Sequence, residues 1–236
     1  MAGTLAARRA IVEVCRRLYE RGLIAGPDGN VSVRLSRDRA LVTPTGMSKV
    51  DVRPGDLVEV TVDGGRPVRS GGGSRYRKPS SEVLLHVRMY SLRSDVWAVV
   101  HAHPPVATGF AVAGEGIPGN VLPETIVQMG DVALVPYALA GTDALADGIE
   151  PYVRAHDAFL LANHGAVTIG TTLLAAHQRM ESLEHAARIL LTSRLLGRVT
   201  TLSPAQVAEL RSTQAAAAAS TSRPGRPARS GRRGKE

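Results

Sequence analysis

Val96-Trp97-Ala98-Val99-Val100-His101-Ala102-His103 is an apolar run closed by two histidines one residue apart, and its reading decides the fold. Side chains alternate faces along a strand, so a strand here puts His101 and His103 on one side, near enough to share a metal ion. A third ligand is expected from Ala162-Asn163-His164-Gly165, which follows a second apolar run, Ala158-Phe159-Leu160-Leu161. An isolated histidine is more often a hydrogen-bonded core or surface residue. Three of them at the ends of apolar runs, with a carboxylate in reach, point to a metal centre.

The carboxylate is Glu82, in Lys78-Pro79-Ser80-Ser81-Glu82, ahead of the helical run Val83, Leu84, Leu85, Val87, Met89 and Tyr90. Ser80 or Ser81 is expected to cap this helix and to leave first-turn amides facing an anion, with Glu82 in the first turn. Acidic residues favour helix starts for electrostatic reasons alone. Hydroxyls, a carboxylate and the histidine pair around one helix favour chemistry instead. Two loops belong with them. Gly26-Pro27-Asp28-Gly29-Asn30 is a turn leading into the alternating strand Val31-Ser32-Val33-Arg34-Leu35, and Thr43-Pro44-Thr45-Gly46 is a rigid corner with hydroxyls and free amides. Asn30, Thr45, Gly46, Ser80 and Ser81 are therefore the candidate contacts to a substrate phosphate.

Outward from these motifs, Leu5 to Glu20 reads as an amphipathic helix stopped by Gly22. A hairpin through Ser36-Arg37-Asp38-Arg39 returns along Ala40-Leu41-Val42, Leu57 to Val62 is a further strand, and Ser70 to Lys78 is a flexible basic loop. Val106 to Val112 reads as a short helix and Gly114 to Glu124 as a loop. Asp131 to Tyr137 reads as a strand, and a helix runs from Gly141-Thr142 through Ile149. Thr171 to Leu196 is a long helix in which His177 and Glu181, one turn apart, are expected to pair with each other rather than bind metal. Ser203-Pro204 opens a last short helix to Leu210. There is no internal repeat.

The chain has 236 residues, 44% of them hydrophobic, enough for a substantial core. No run approaches the roughly 18 apolar residues that cross a membrane, and no N-terminal apolar segment leads to a cleavage site, so a cytoplasmic location is expected. The single Cys15 allows no internal disulfide. Of the net charge of +8, Arg223, Arg226, Arg229, Arg232, Arg233 and Lys235 against Glu236 supply +5, leaving a mildly basic body that argues against nucleic acid as a partner. Residues 1–212 are expected to form the domain, and 213–236 a disordered basic Ala/Pro/Gly/Arg tail.

Neutral imidazoles suit Zn2+, and three protein ligands leave a position open for substrate. Such an ion polarises a carbonyl and stabilises the charge left when the neighbouring C–C bond breaks, while Glu82 transfers the proton. No G-x-G-x-x-G fingerprint stands between a strand and a helix, and Walker A, G-x-S-x-G and H-E-x-x-H motifs are missing, which disfavours nucleotide binding, triad hydrolysis and the helical zinc protease site.

Gly29-Asn30-Val31-Ser32, Thr43-Pro44-Thr45-Gly46, Lys78-Pro79-Ser80-Ser81-Glu82, His101-Ala102-His103 and Asn163-His164-Gly165, in that order, resemble the class II aldolase/adducin N-terminal domain family. L-fuculose-1-phosphate aldolase is a leading member, and the likeness runs from about Arg9 to Gly197. The resemblance implies a three-layer α/β/α sandwich with a central, largely antiparallel sheet, assembled as a homotetramer. It implies zinc on His101, His103 and His164, acid/base work by Glu82, and phosphate among Asn30, Thr45, Gly46, Ser80 and Ser81. The expected activity is a metal-dependent aldehyde-lyase. It would cleave a ketose 1-phosphate, such as L-fuculose 1-phosphate or 5-deoxyribulose 1-phosphate, into dihydroxyacetone phosphate and an aldehyde. The alternatives are methylthioribulose-1-phosphate dehydratase, another phosphosugar lyase or epimerase, and a noncatalytic adducin-like protein. The epimerase branch commonly has lysine at Thr43 and aspartate at Glu82, and intact metal residues argue against the adducin-like class. By rough placement Leu122 stands where the fuculose enzyme has a tyrosine, and no tyrosine follows Tyr152. Both departures concern the aldehyde half of the substrate.

Overall fold

The computed structural model describes residues 2–68 and 77–221, with side chains for 4–68 and 77–214. Most of the Ser70 to Lys78 loop and the tail beyond Thr221 lie outside the described residues. Seven strands, β1 (Asn30–Arg34), β2 (Arg39–Val42), β3 (Val58–Thr61), β4 (Ala98–Ala102), β5 (Val132–Val135), β6 (Ala158–Leu161) and β7 (Gly165–Gly170), form one sheet in the order β3-β2-β1-β4-β7-β6-β5. Every pairing is antiparallel except β5 with β6.

Helices cover both faces. On one side α1 (Ala2–Glu20), α3 (Pro105–Val112) and α6 (Leu173–Leu195) bury Ile11, Leu18, Phe110, Met180 and Leu190 against Val100, Ala102, Leu160 and Ala166. On the other, α2 (Val83–Leu92) and α5 (Asp143–Val153) set Leu85, Met89, Leu145 and Ile149 over Val99, Phe159, Val167 and Ile169. The result is the expected α/β/α sandwich. Alternation along β4 sends odd residues toward α2, so His101 leaves the sheet on the face of Val99. Gly22, at φ 65°, ends α1 with amides of Gly22 and Leu23 donating back to Tyr19 and Leu18, which directs the chain under the future site.

Four local expectations are corrected. β7, to which the sequence reading gave no element, is a strand between Gly165 and Gly170 and is wholly buried. Pro123–Gln128 is a helix, α4, carrying Glu124 in its first turn rather than a loop. Glu82 precedes α2 at its N-cap position instead of lying in the first turn. The final helix, α7 (Pro204–Thr221), continues past Leu210, as its alanine-rich end favours. Among the described residues no helix is long and apolar enough to cross a membrane.

Candidate metal centre

The centre lies where β4 ends, β1 begins and β6 turns into β7. His101 stands opposite Asn30 on one side and Val167 on the other, is fully buried, and donates from Nδ1 to the Ala166 carbonyl at 2.9 Å. That bond leaves Nε2 free to face the centre. The His103 amide donates to Leu23 at 3.0 Å as the chain turns out of the sheet, and its Nδ1 lies 3.5 Å from Asp28 Oδ2. His164 is delivered by the β6–β7 turn, in which Asn163 takes the left-handed conformation at φ 55°. Two glycines make room. A Cβ on Gly165 would fall 2.5 Å from the His103 ring and 2.7 Å from the Ala102 carbonyl oxygen, and one on Gly29 2.7 Å from the His101 carbonyl oxygen.

The three rings meet edge to face, with centroids 4.8 to 5.2 Å apart, and one ligand atom from each lies within 4.8 Å of the others. Nε2 of His101 and His103 are 3.2 Å apart. Tetrahedral coordination at the usual Zn–N length requires roughly 3.3 Å. Glu82 spans the trio, with Oε2 3.1 Å from His101 Nε2 and Oε1 3.0 Å from His164 Nε2. Burial pushes the Glu82 carboxyl up, but His101 and His164 together outweigh it and hold it well below the usual carboxylate range. For His101 burial acts downward, and the charge and hydrogen bond of Glu82 prevail and raise it. Burial, with His101 and His164, pushes His103 down to about 4, which keeps its lone pair available. A three-nitrogen donor set with a carboxylate at its edge suits a divalent metal, and His103 and His164 are open enough to admit a further ligand, at 26% and 14% exposed.

The predicted phosphate contacts divide into two groups. Pro44 and Pro79 form an antiparallel bridge, the Thr45 amide donates to Lys78 at 3.1 Å, and the Ser80 amide to Thr43 at 3.0 Å. These contacts zip the two loops into one rim on which Thr45, Gly46 and Ser81 are exposed, while buried Ser80 accepts from the Glu82 amide at 3.3 Å. Asn30 is elsewhere. Its buried amide donates from Nδ2 to Glu82 Oε2 at 2.7 Å, and its Oδ1 lies 2.5 Å from His86 Nε2.

Sequence reasoning missed three participants. His86 follows Glu82 by one helical turn, and that i,i+4 spacing was the available signal. Asp28 lies inside the quoted turn but was read only as a turn residue. Lys49 is buried, and its ammonium donates to Pro27 at 2.6 Å and Met47 at 2.9 Å, tying the Asn30 turn to the Thr45 corner. Burial lowers its pKa. His177 lies apart from the trio: Glu181 is taken by Arg21 at 2.6 Å, His177 Nε2 stays 3.6 Å away, and neither of its ring nitrogens has a hydrogen-bond partner among the described residues.

Known proteins are similar to this chain in sequence and fold. A 3-oxo-tetronate 4-phosphate decarboxylase of Escherichia coli O6:H1 is 34% identical over 212 residues, covering 87% of this chain and 95% of that one. A 5-methylthioribulose-1-phosphate/5-deoxyribulose-1-phosphate aldolase of Rhodospirillum rubrum is 34% identical over 183 residues, covering 78% and 79%. The solved structure of an L-fuculose 1-phosphate aldolase superposes with a TM-score of 0.80 at 28% identity, covering 88% of this chain and 95% of that one. Residues 9–191 match the model of the Class II Aldolase and Adducin N-terminal domain. The match takes in every strand and all three clustered histidines, so the chain belongs to the class II aldolase/adducin N-terminal domain family.

Proposed function

We propose that the chain is a metal-dependent lyase that decarboxylates a phosphorylated 3-oxo sugar acid of the 3-oxo-tetronate 4-phosphate type. The observation carrying this reading is the trio of imidazoles converging beside Glu82. Support for the substrate class comes from the decarboxylase relative, which the chain covers nearly end to end. Such a substrate has a carboxylate at C1, a hydroxyl at C2, the ketone at C3 and phosphate at C4. A divalent ion, taken as Zn2+ for its all-imidazole donors, supplies Lewis acidity at the ketone when bound.

The chain's own residues do the remainder. Hydroxyl and amide donors on the rim of Thr45, Gly46, Ser80 and Ser81 hold the phosphate, so binding energy far from the reacting bond contributes orientation. The C1–C2 bond breaks, CO2 leaves and the electron pair stays on C2. Glu82, having taken a proton from water, delivers it to C2, and the hydroxide left behind takes up the CO2 as bicarbonate. The product is dihydroxyacetone phosphate.

Aldol cleavage of a ketose 1-phosphate gives the same product with an aldehyde in place of CO2, and one observation favours it. A 34% identical relative is a ketose-1-phosphate aldolase, and Glu82 as a carboxylate would remove the hydroxyl proton and return it to carbon. Against it, Leu122 supplies no hydroxyl for an aldehyde fragment.

The test is coupled detection of dihydroxyacetone phosphate from 3-oxo-tetronate 4-phosphate, L-fuculose 1-phosphate and 5-deoxyribulose 1-phosphate, with metal-stripped and zinc-reloaded protein. Zinc-dependent release from the keto acid above its spontaneous rate, abolished in Glu82→Gln, is the expected result. Release from the ketoses alone would replace decarboxylation with aldol cleavage. No release from any of the three by folded, zinc-loaded protein would overturn both.

A further inference from the structure

Beneath Glu82 lies a hydrogen-bonded chain that the proposed reaction does not itself require. His86 Nε2 meets Asn30 Oδ1 at 2.5 Å, His86 Nδ1 meets Ser32 Oγ at 2.7 Å, and Ser32 Oγ meets the Tyr90 hydroxyl at 2.7 Å. Asn30 is 4% exposed, and Ser32, His86 and Tyr90 are each 1% exposed. The interlocking follows from element geometry. Glu82 at the N-cap of α2 and His86 and Tyr90 within it recur every four residues along one side, a step of about 6 Å per helical turn. Asn30 and Ser32 recur every second residue on β1, a step of about 6.6 Å. The two repeats nearly match, so helix and strand side chains alternate along a single line. Arg34, the next residue on that strand face, closes it by donating to the Tyr90 carbonyl at 3.0 Å.

We infer that His86 is a positioning residue whose hydrogen bonds fix the Asn30 amide so that an N–H, and never the carbonyl, faces Glu82. The direction follows from counting donors. An ionised carboxylate only accepts, so Asn30 presents Nδ2 to it and Oδ1 to His86. His86 then donates from Nε2, accepts at Nδ1 from the Ser32 hydroxyl, and Ser32 accepts from Tyr90. Every polar atom on this line is satisfied in that one arrangement. Reversing it sets Asn30 Oδ1 against Glu82 Oε2, two acceptors at the 2.7 Å now occupied by a hydrogen bond. With Oε2 so held, the buried Oε1 is left on the side of His164. His86 thus sets the aim of the proton-transferring carboxylate without touching it.

The inference takes Glu82 as the acid/base of the proposed lyase, and two measurements separate its failure from failure of that reading. The first needs no substrate. Side-chain 15N NMR of the zinc-loaded protein should find His86 as the Nε2–H tautomer, and the Nδ1–H tautomer would overturn the inference whatever the enzyme turns over. The second is a double-mutant cycle on whichever substrate proves active. His86→Leu should lower kcat about 10- to 100-fold with KM and zinc content nearly unchanged, the size expected for a misaimed catalytic group. His86→Gln, which keeps an N–H toward Asn30, should recover most of that loss. In an Asn30→Ala background His86→Leu should cost little more. Independent, multiplying losses, or no rescue by glutamine, would mark His86 as ordinary core packing. If His86→Leu does not fold, Tyr90→Phe and Ser32→Ala interrupt the same line with smaller changes, and unaltered kcat in both would overturn the inference.

Discussion

Replacing Gly165 with alanine should loosen the metal centre through one added methyl group. The new Cβ would stand 2.5 Å from Cδ2 and 3.2 Å from Nε2 of His103, and 2.7 Å from the Ala102 carbonyl oxygen. Carbon atoms pack at about 3.5–4.0 Å, so the overlap with the ring is roughly 1 Å. Part of it falls on β4 backbone, which cannot swing aside, so the ring must move. Overpacking of this kind costs about 1–3 kcal/mol, offset by about 0.5 kcal/mol from the stiffer unfolded chain. A net loss of about 0.5–2.5 kcal/mol lowers Tm by roughly 1–10 °C in a chain of this size. Metal ligation tolerates distance errors of only about 0.2 Å, so a larger ring shift should weaken zinc binding at least about tenfold. The assays are competition against a chromophoric chelator and melting of metal-free and zinc-loaded protein. In a His103→Ala background the ring half of the clash disappears while the backbone half stays, so the further Tm loss should shrink without vanishing. Wild-type zinc affinity and an unchanged Tm in Gly165→Ala would refute the reasoning.

Asp28→Asn should lower zinc affinity up to about tenfold in the same competition assay, because the charge 3.5 Å from His103 Nδ1 supports that ring from behind. Buried Glu184 accepts from the Val106 amide at 3.1 Å and the Ala107 amide at 2.9 Å, joining α6 to the start of α3. Glu184→Ala should cost about 1.5–3 kcal/mol in denaturant unfolding and leave zinc affinity alone. Burial holds His86 down to about 3, and burial with neighbouring histidines holds His103 to about 4, whereas Glu82 raises His101. Below pH 6.5 the unfolded chain binds protons that the first two refuse in the native state, so stability present above 6.5 drains away toward pH 3, and His101 offsets part of it. In metal-free protein His86→Gln removes one proton from that slope, about 1.4 kcal/mol per pH unit, and unchanged steepness of Tm against pH would contradict this.

The ligands were legible because each depends on local spacing. His101 and His103 share a face by strand alternation, and an apolar run carries His164 to the same end of the sheet. The three layers and the largely antiparallel sheet followed from the family resemblance that the motifs carry, and the strand order did not. β7 was given no element although Val167, Thr168 and Ile169 favour a strand, because the reading stopped at His164 and resumed at the Thr171 helix; β4 and β6 enclose it. Asn30 was expected among the phosphate contacts, and only the β1–β4 register and the packing of α2 show that its amide bonds Glu82 and His86. Polar residues at 30, 32 and 34 alternate as on a strand with one wet face. A second helical layer buries the first two, and no window of sequence shorter than the distance to α2 displays that.

The sheet also has an assembly order written into it. β1, β2 and β3 are antiparallel neighbours on one side, and β5, β6 and β7 are neighbours on the other, with β5 and β6 parallel and joined across α5. β4 is the seam between them: His101 pairs with Asn30, 71 residues earlier, and with Val167, 66 residues later. Contacts across such separations are costly to close and form late. A metal ion meeting the chain before the seam closes finds only the His101–His103 pair, a weak two-point grip. The third imidazole arrives when β7 docks on β4, so tight capture of metal reports that the two half-sheets have joined.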